Sequence, residues 1–343
     1  MAYGIYDTMT LVSSIELMKR PSSFLLDTFF PREQTSDTEK VAIDVFVGKR
    51  RLAPFCSPLV EGKVMEAQGF TTNEFAPAYV KVKAPIDPKR PVRRMIGEQI
   101  GGLQMTPGER EQANLQFELE QQVISIDRRL EWMAAQALVT GSVTIKGEGF
   151  PTTSINFGRA SGLSVTLTGG SRWGQAGVYP SESLDDWSAL VLKESGLVVT
   201  DIVFTPSAWK AFRKDANVQD VIRSFANGEP TLQVGGSQAR TGGQFKGYWG
   251  GYRLWLYFDW YIDPDTGTET AMIPDNTVLL GSDQMMGERA FASIQDPEFA
   301  YTALKYAPKS WVTPDPAQRH LMTQSSPLVI PSAVNGCMAA TVA

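Results

Sequence analysis

The chain has 343 residues, 43% of them hydrophobic and 20% charged, a composition of globular rather than disordered protein, and its length favours two packed lobes. A formal net charge of −5, a pI of about 5.2 and no basic run longer than Lys49-Arg50-Arg51 argue against a protein whose main work is gripping nucleic acid. Cys56 and Cys337 make neither a metal spacing nor a disulfide framework. No stretch approaches the ~18 apolar residues of a membrane span, and the first ten residues lack a signal-peptide pattern, so the expected setting is the cytoplasm.

Residues 1–40 read as an arm. A weak helical pattern places Leu11, Ile15 and Met18 on one face, and Phe24, Leu25, Leu26, Phe29 and Phe30 cluster before Pro31. The cluster can dock on its own core or lie on a neighbouring copy, and the residues themselves leave both readings open. The scarcity of apolar anchors before it favours the neighbour. Residues 41–95 read as β structure. Val41, Ile43, Val45 and Val47 alternate with other residues, as do residues 79–83. Residues 63–70 are expected to pair with 79–83 across a tip of Thr71, Thr72, Asn73 and Glu74, in a hairpin too long and polar to stand alone.

The clearest element follows. Thr106-Pro107-Gly108-Glu109 combines a capping Thr, a Pro at the first helical position and a Glu three residues after the cap. Leu119, Val123, Ile126, Leu130, Met133 and Ala137 step by fours and threes, one stripe on a helix over residues 107–140, and Gly141 is placed to stop it. Residues 142–156 read as a hairpin turning through Gly147 and Gly149. From 181 to about 305 helices and strands mix, as an α+β or α/β lobe would. A helix is expected over 184–194 with Asp185 and Asp186 in its first turn, then a strand over 197–204. A helix capped by Thr205 should run to about Phe225. A Gly-rich loop follows over 235–247, then aromatic β structure over 248–262 and short strands near 278–280 and 290–294.

Candidate chemistry is thin. Asp263-Pro264-Asp265-Thr266-Gly267-Thr268-Glu269 resembles a calcium loop, but position twelve is Pro274 where a bidentate acid is required, so a hairpin turn is expected. Asp185 and Asp186 are adjacent on a helix and do not face each other. Gly169-Gly170-Ser171 and Gly242-Gly243 carry no phosphate-loop pattern. His320 is the only histidine, which leaves Cys56 without a ready general base. No catalytic, cofactor-binding or metal-binding residue is therefore expected, and no cofactor. A large mixed fold with a projecting hairpin and an aromatic arm suits an assembly protein.

Several segments, in order along nearly the whole chain, resemble one family. They are Phe24 to Phe30, Thr72 to Lys83, Pro88 with Arg93-Arg94, Ile202-Val203-Phe204 with Trp209 and Phe212, Pro274 to Gly281, Ile294-Gln295-Asp296, and Gln324 to Leu328. The most specific is Tyr306 to Pro316, with Lys309, Trp311-Val312-Thr313 and Asp315-Pro316-Ala317. Together they resemble the lambda-type major capsid proteins of tailed bacteriophages, the capsid protein E family. Segments 166–183 and 235–247 depart from the pattern.

The resemblance implies an α+β fold of the Hong Kong 97-like capsid class. Its parts would be an N-terminal arm (1–40), an extended β-hairpin loop with flanking peripheral-lobe strands (41–95), a peripheral domain with the spine helix 107–140 (96–180), an axial domain (181–305) and a C-terminal segment returning to both lobes (306–343). It implies a non-enzymatic subunit that self-assembles into hexamers and pentamers, forming an icosahedral shell around double-stranded DNA. The alternative is a compartment shell of the same fold holding protein cargo. Expected partners are other copies of the chain, a separate scaffolding protein and a portal, with a decoration protein left open, packaged DNA nearby but not specifically bound, and no membrane. The expected location is the virion after assembly in the host cytoplasm. Expected intersubunit contacts are Phe24, Phe29, Phe30, Phe70, Thr72, Glu74, Phe75 and Tyr79.

Overall fold

The computed structural model describes residues 6–18, 23–46, 52–53, 55–59, 61, 70–86, 106–219, 239–240, 242–315 and 318–343. The first half holds α1 (Thr8–Leu17), α2 (Phe24–Phe29), β1 (Arg32–Ser36), β2 (Val41–Phe46), β3 (Phe70–Phe75), β4 (Val80–Ile86), α3 (Pro107–Thr140), β5 (Ser142–Gly147), β6 (Phe150–Asn156) and β7 (Ser164–Thr166). Then come α4 (Pro180–Ser195), β8 (Asp201–Phe204), α5 (Pro206–Phe212), β9 (Ala239–Arg240), β10 (Gly243–Trp249), β11 (Tyr252–Tyr257), β12 (Trp260–Ile262) and β13 (Glu269–Ala271). The chain closes with β14 (Thr277–Gly281), β15 (Glu288–Ala292), β16 (Ala307–Thr313), β17 (Gln318–Ser325), β18 (Pro327–Ile330) and β19 (Cys337–Thr341).

Local chemistry defines α3 at both ends. The Glu109 amide donates to Thr106 Oγ1 at 3.3 Å, and the Thr106 amide donates to the Glu109 carboxylate at 2.7 Å, so two otherwise orphaned donors are satisfied reciprocally. Gly141 stops the helix in the left-handed conformation, φ 70°, which costs glycine little. The Arg159 guanidinium donates to the Leu138 and Val139 carbonyls at 2.6 and 2.5 Å, placing positive charge on the helix's negative end. At ~1.5 Å per residue, its 34 residues make a rod roughly 50 Å long. All six stripe residues, Leu119 to Ala137, are buried. The N-terminal half packs with α1, β4 and β17 around Leu11, Ile15, Ile86 and Leu321. The C-terminal half joins a larger core with α2, β5 and β18.

A seven-stranded sheet, in the order β7-β19-β14-β8-β11-β10-β9, has apolar side chains on both faces. Ile202, Phe204, Val278, Leu280, Met338 and Ala340 face α4 and α5. Val203, Leu279, Trp255, Tyr257 and Ala339 face the core shared with α2 and α3. The C-terminal strand β19 sits between β7 and β14, parallel to the first and antiparallel to the second. Both faces being covered explains why these strands are near-continuous apolar runs.

Several expectations are corrected. Phe70 pairs with Phe46 rather than with residues 79–83. β4 pairs antiparallel with β17, Val80 opposite Ser325 through Ile86 opposite Arg319, and residues 71–74 are strand rather than tip, since β3 pairs with β2. The alternation of β4 was legible, but its partner lies more than 230 residues downstream and leaves no local mark. Residues 63–69 lie outside the described residues. α4 begins at Pro180, so Glu182 is its first-turn acid and Asp185 and Asp186 are exposed beyond that turn. Thr205 does not cap α5 with its side chain. Its hydroxyl instead donates to the Thr277 carbonyl at 3.1 Å and accepts from the Thr277 amide at 3.0 Å, tying β8 to β14. α5 ends at Phe212, and residues 220–225 lie outside the described residues. The second half of the expected 235–247 loop is strand β10, while 235–238 lie outside the described residues. Residues 263–269 do form a hairpin turn, between β12 and β13.

Leu130 sits mid-stripe at 1% exposure. We expect Leu130→Ala to cost about 2–5 kcal/mol, seen as a lowered thermal midpoint of the unassembled chain. A midpoint unchanged within error would mean that this face of α3 does not pack.

Candidate functional site

Phe24, Phe29 and Phe30, expected to meet a neighbouring copy, are buried in the single chain. Their exposures are 0%, 1% and 0%, within the chain's own core. The reason is a set of three glycines distant in sequence. A Cβ on Gly243, at the start of β10, would lie under 3.0 Å from the Phe24 ring. The same holds for Gly281, at the end of β14, against the Phe29 ring, and for Gly287, before β15, against the Phe30 ring. Each ring thus lies against bare backbone. Phe24 also stacks at a tilt on Trp255, centroids 4.9 Å apart. Buried rings of this size contribute strongly to a core.

Polar contacts fix the same segment. The Gly287 amide donates to the Phe29 carbonyl at 2.9 Å. Arg289 donates from Nε to the Phe30 carbonyl at 2.7 Å and from a terminal nitrogen to Asp27 at 2.8 Å. β1 then runs parallel to β15, Arg32 opposite Glu288. The N-terminus of α2 meets Glu131 of α3. Its carboxylate accepts from the Leu25 amide at 2.9 Å, the Leu26 amide at 3.1 Å and the Tyr257 hydroxyl at 3.2 Å. Burial pushes the Glu131 carboxyl up to about 7, against these three hydrogen bonds. Burial raises the Tyr257 phenol as well.

The other expected contact residues are dispersed. Phe75 is half-buried, with its ring edge-on to Phe157 at 6.2 Å. The Tyr79 hydroxyl donates to Gln324 Oε1 at 2.9 Å, and burial pushes it up to about 12. Glu74 is exposed and reaches Lys40 at 3.7 Å, a pair that contributes little on the surface. Phe70 and Thr72 stand in β3 opposite Phe46 and Asp44, and their side chains lie outside what is described. Among the described side chains, Phe75 packs against the core that holds Phe24, Phe29 and Phe30, while Tyr79 packs against a separate small cluster with Ile294 and Phe299.

The residues that sequence reasoning missed lie between β2 and β3. Leu52, Phe55 and Leu59 are 91%, 103% and 95% exposed. Three apolar side chains fully in water within eight positions are unusual for a surface without a partner. Their spacing of three and four was the available signal, but apolar residues are read by default as core. Elsewhere, the His320 ring stands beside Trp311 at 5.5 Å in the β16–β17 pair. Cys337 is buried, and burial pushes its thiol up to about 11.

Because Phe29 packs privately, Phe29→Ala should destabilise the unassembled chain by about 3–5 kcal/mol, measured by denaturant titration. An unaltered free chain with only assembled material weakened would restore the neighbour reading.

Residues 7–342 match the family described as phage major capsid protein E. The chain is 29% identical over 331 residues to the major capsid protein of Escherichia phage lambda, covering 95% of this chain and 96% of that one. The major capsid protein of Escherichia phage N15 matches at the same identity and coverage. Among solved structures, the crystal structure of a prophage capsid protein from E. coli CFT073 superposes with a TM-score of 0.76 at 22% identity, covering 98% of this chain and 99% of that one. The capsid of Ralstonia phage GP4 gives 0.51 at 14% identity, covering 95% and 93%. At such identities the structural likeness speaks for the fold, an α+β phage-capsid fold. With the family match spanning all but the first six residues and the last one, the chain belongs to the phage major capsid protein E family.

Proposed function

We propose that this chain is the subunit of a tailed-phage head, a structural protein rather than an enzyme, which assembles with itself into hexamers and pentamers that close an icosahedral shell around double-stranded DNA. The near full-length family match carries this reading. In the finer assignment, the fold is of the Hong Kong 97-like class. Residues 1–40 form the arm, 41–95 the extended loop and its flanking strands, 96–180 the peripheral domain with α3 as its spine, 181–305 the axial domain, and 306–343 the returning segment. The net charge of −5 suits a container whose inner wall should not hold packaged DNA by phosphate contacts. A scaffolding protein and a portal complete the expected partners, assembly takes place in the host cytoplasm, and the virion is the destination.

The contact surface in this proposal moves from the arm to the loop. Leu52, Phe55 and Leu59, with Phe70, Thr72, Glu74 and Phe75 on β3 and Tyr79 just before β4, face another copy. Apolar side chains held in water gain on the order of 1.5–3 kcal/mol each when buried, enough for a repeated contact to drive closure. Replacing Leu52, Phe55 and Leu59 together by Ser should leave the free chain's melting unchanged, since these side chains are exposed there, and should abolish shells in negative-stain micrographs. Normal shells from the triple variant would remove the loop from the interface. Shells recovered from the producing cell should contain double-stranded DNA, and a protein filling would instead favour a cargo compartment.

A further inference from the structure

We infer that Glu131 is a proton-responsive latch that sets how firmly the arm is held against α3 and the seven-stranded sheet. The geometry is of three elements meeting on one carboxylate. α3 supplies Glu131, 3% exposed. α2 supplies the Leu25 and Leu26 amides, and β11 supplies the Tyr257 hydroxyl. No cation pairs with the carboxylate among the described residues. The charged groups facing it from each side are accounted for. Asp259, following β11, opposes the ionised form. Arg128 on α3 lies close enough to Tyr257 to act on its phenol, but donates to the Trp260 carbonyl at 2.7 Å. Asp27 on α2 turns away to Arg289.

Docking the arm therefore buries a carboxylate with three hydrogen bonds and no counter-ion. Undocking returns it to water. The docked state binds the proton more tightly, the free value being 4.5 and the docked value about 7. The sign follows from linkage. Arm docking is favoured fully below the free value and loses that favour as pH rises towards about 7, after which the loss is complete. The arm is thus tightest in acid and loosest above neutrality, where the rings on their three glycines, the Arg289 contacts and the β1–β15 pairing must hold it. In a shell whose subunits share loop contacts, this gives each subunit an internal joint whose stiffness depends on pH.

The test is hydrogen–deuterium exchange of the segment holding the Leu25 and Leu26 amides in the full chain, corrected for intrinsic exchange. Between about pH 5.5 and about pH 8 the opening constant should rise ~30-fold in the wild type, and should stay flat in Glu131→Gln, whose amide stays neutral, its one oxygen keeping the Leu25 and Tyr257 hydrogen bonds and giving up the one from Leu26. A flat wild-type profile, or the same slope in the variant, overturns the proposal. Should the variant not fold, carbon-detected titration of Glu131 in the wild type decides instead. A midpoint near 7 supports the latch, and one near the free value removes it.

Discussion

Three phenylalanine rings laid on three glycines hold this molecule together across more than two hundred residues of sequence. Phe24 meets Gly243, Phe29 meets Gly281 and Phe30 meets Gly287, and those glycines begin β10, end β14 and precede β15. A six-residue helix thereby touches the seven-stranded sheet and the small β1-β15-β18 sheet at once, while its N-terminal amides rest on Glu131 of the long helix. Any side chain at the three glycines would enter the space a ring occupies. Interiors are packed too densely for such an intrusion to be absorbed. The α2 segment is accordingly a keystone of the free subunit, with Phe24, Phe29 and Phe30 buried in its core.

What was legible in the sequence followed from local chemistry. The capping box at Thr106, the glycine at 141 and the stripe from Leu119 to Ala137 each act within a few residues, and α3 runs Pro107–Thr140 as they dictate. The hairpins over 142–156 and 263–269 were legible for the same reason, their turn residues and alternating strands being adjacent. What failed was pairing at a distance. β4 alternates clearly, yet its partner is β17. Leu26 and Phe29 are apolar in either reading of the arm, and only glycines more than two hundred residues downstream decide between them. A buried acid such as Glu131 is also invisible in sequence, since on a helical wheel it borders the stripe as any polar flank would.

The division between private and shared surface carries the functional reading. Family membership makes the chain a capsid subunit, and a subunit needs a core that survives alone as well as apolar surface that does not. The core is supplied by two faces of one sheet, with Val203 and Leu279 on the arm side and Phe204 and Leu280 on the α4–α5 side. The surplus lies in the segment carrying Leu52, Phe55 and Leu59, which stands clear of that core. Exposed apolar surface of this kind marks an interaction site, and the proposed function assigns it to contact with another copy.

The central claim, that the arm is private and the loop shared, is tested most directly by comparing hydrogen–deuterium exchange in the free chain and in assembled shells. Segment 23–36 should be equally protected in both. Segment 52–61 should exchange freely in the free chain and become protected on assembly. Arm protection that appears only in shells, together with a loop unchanged by assembly, would contradict the account.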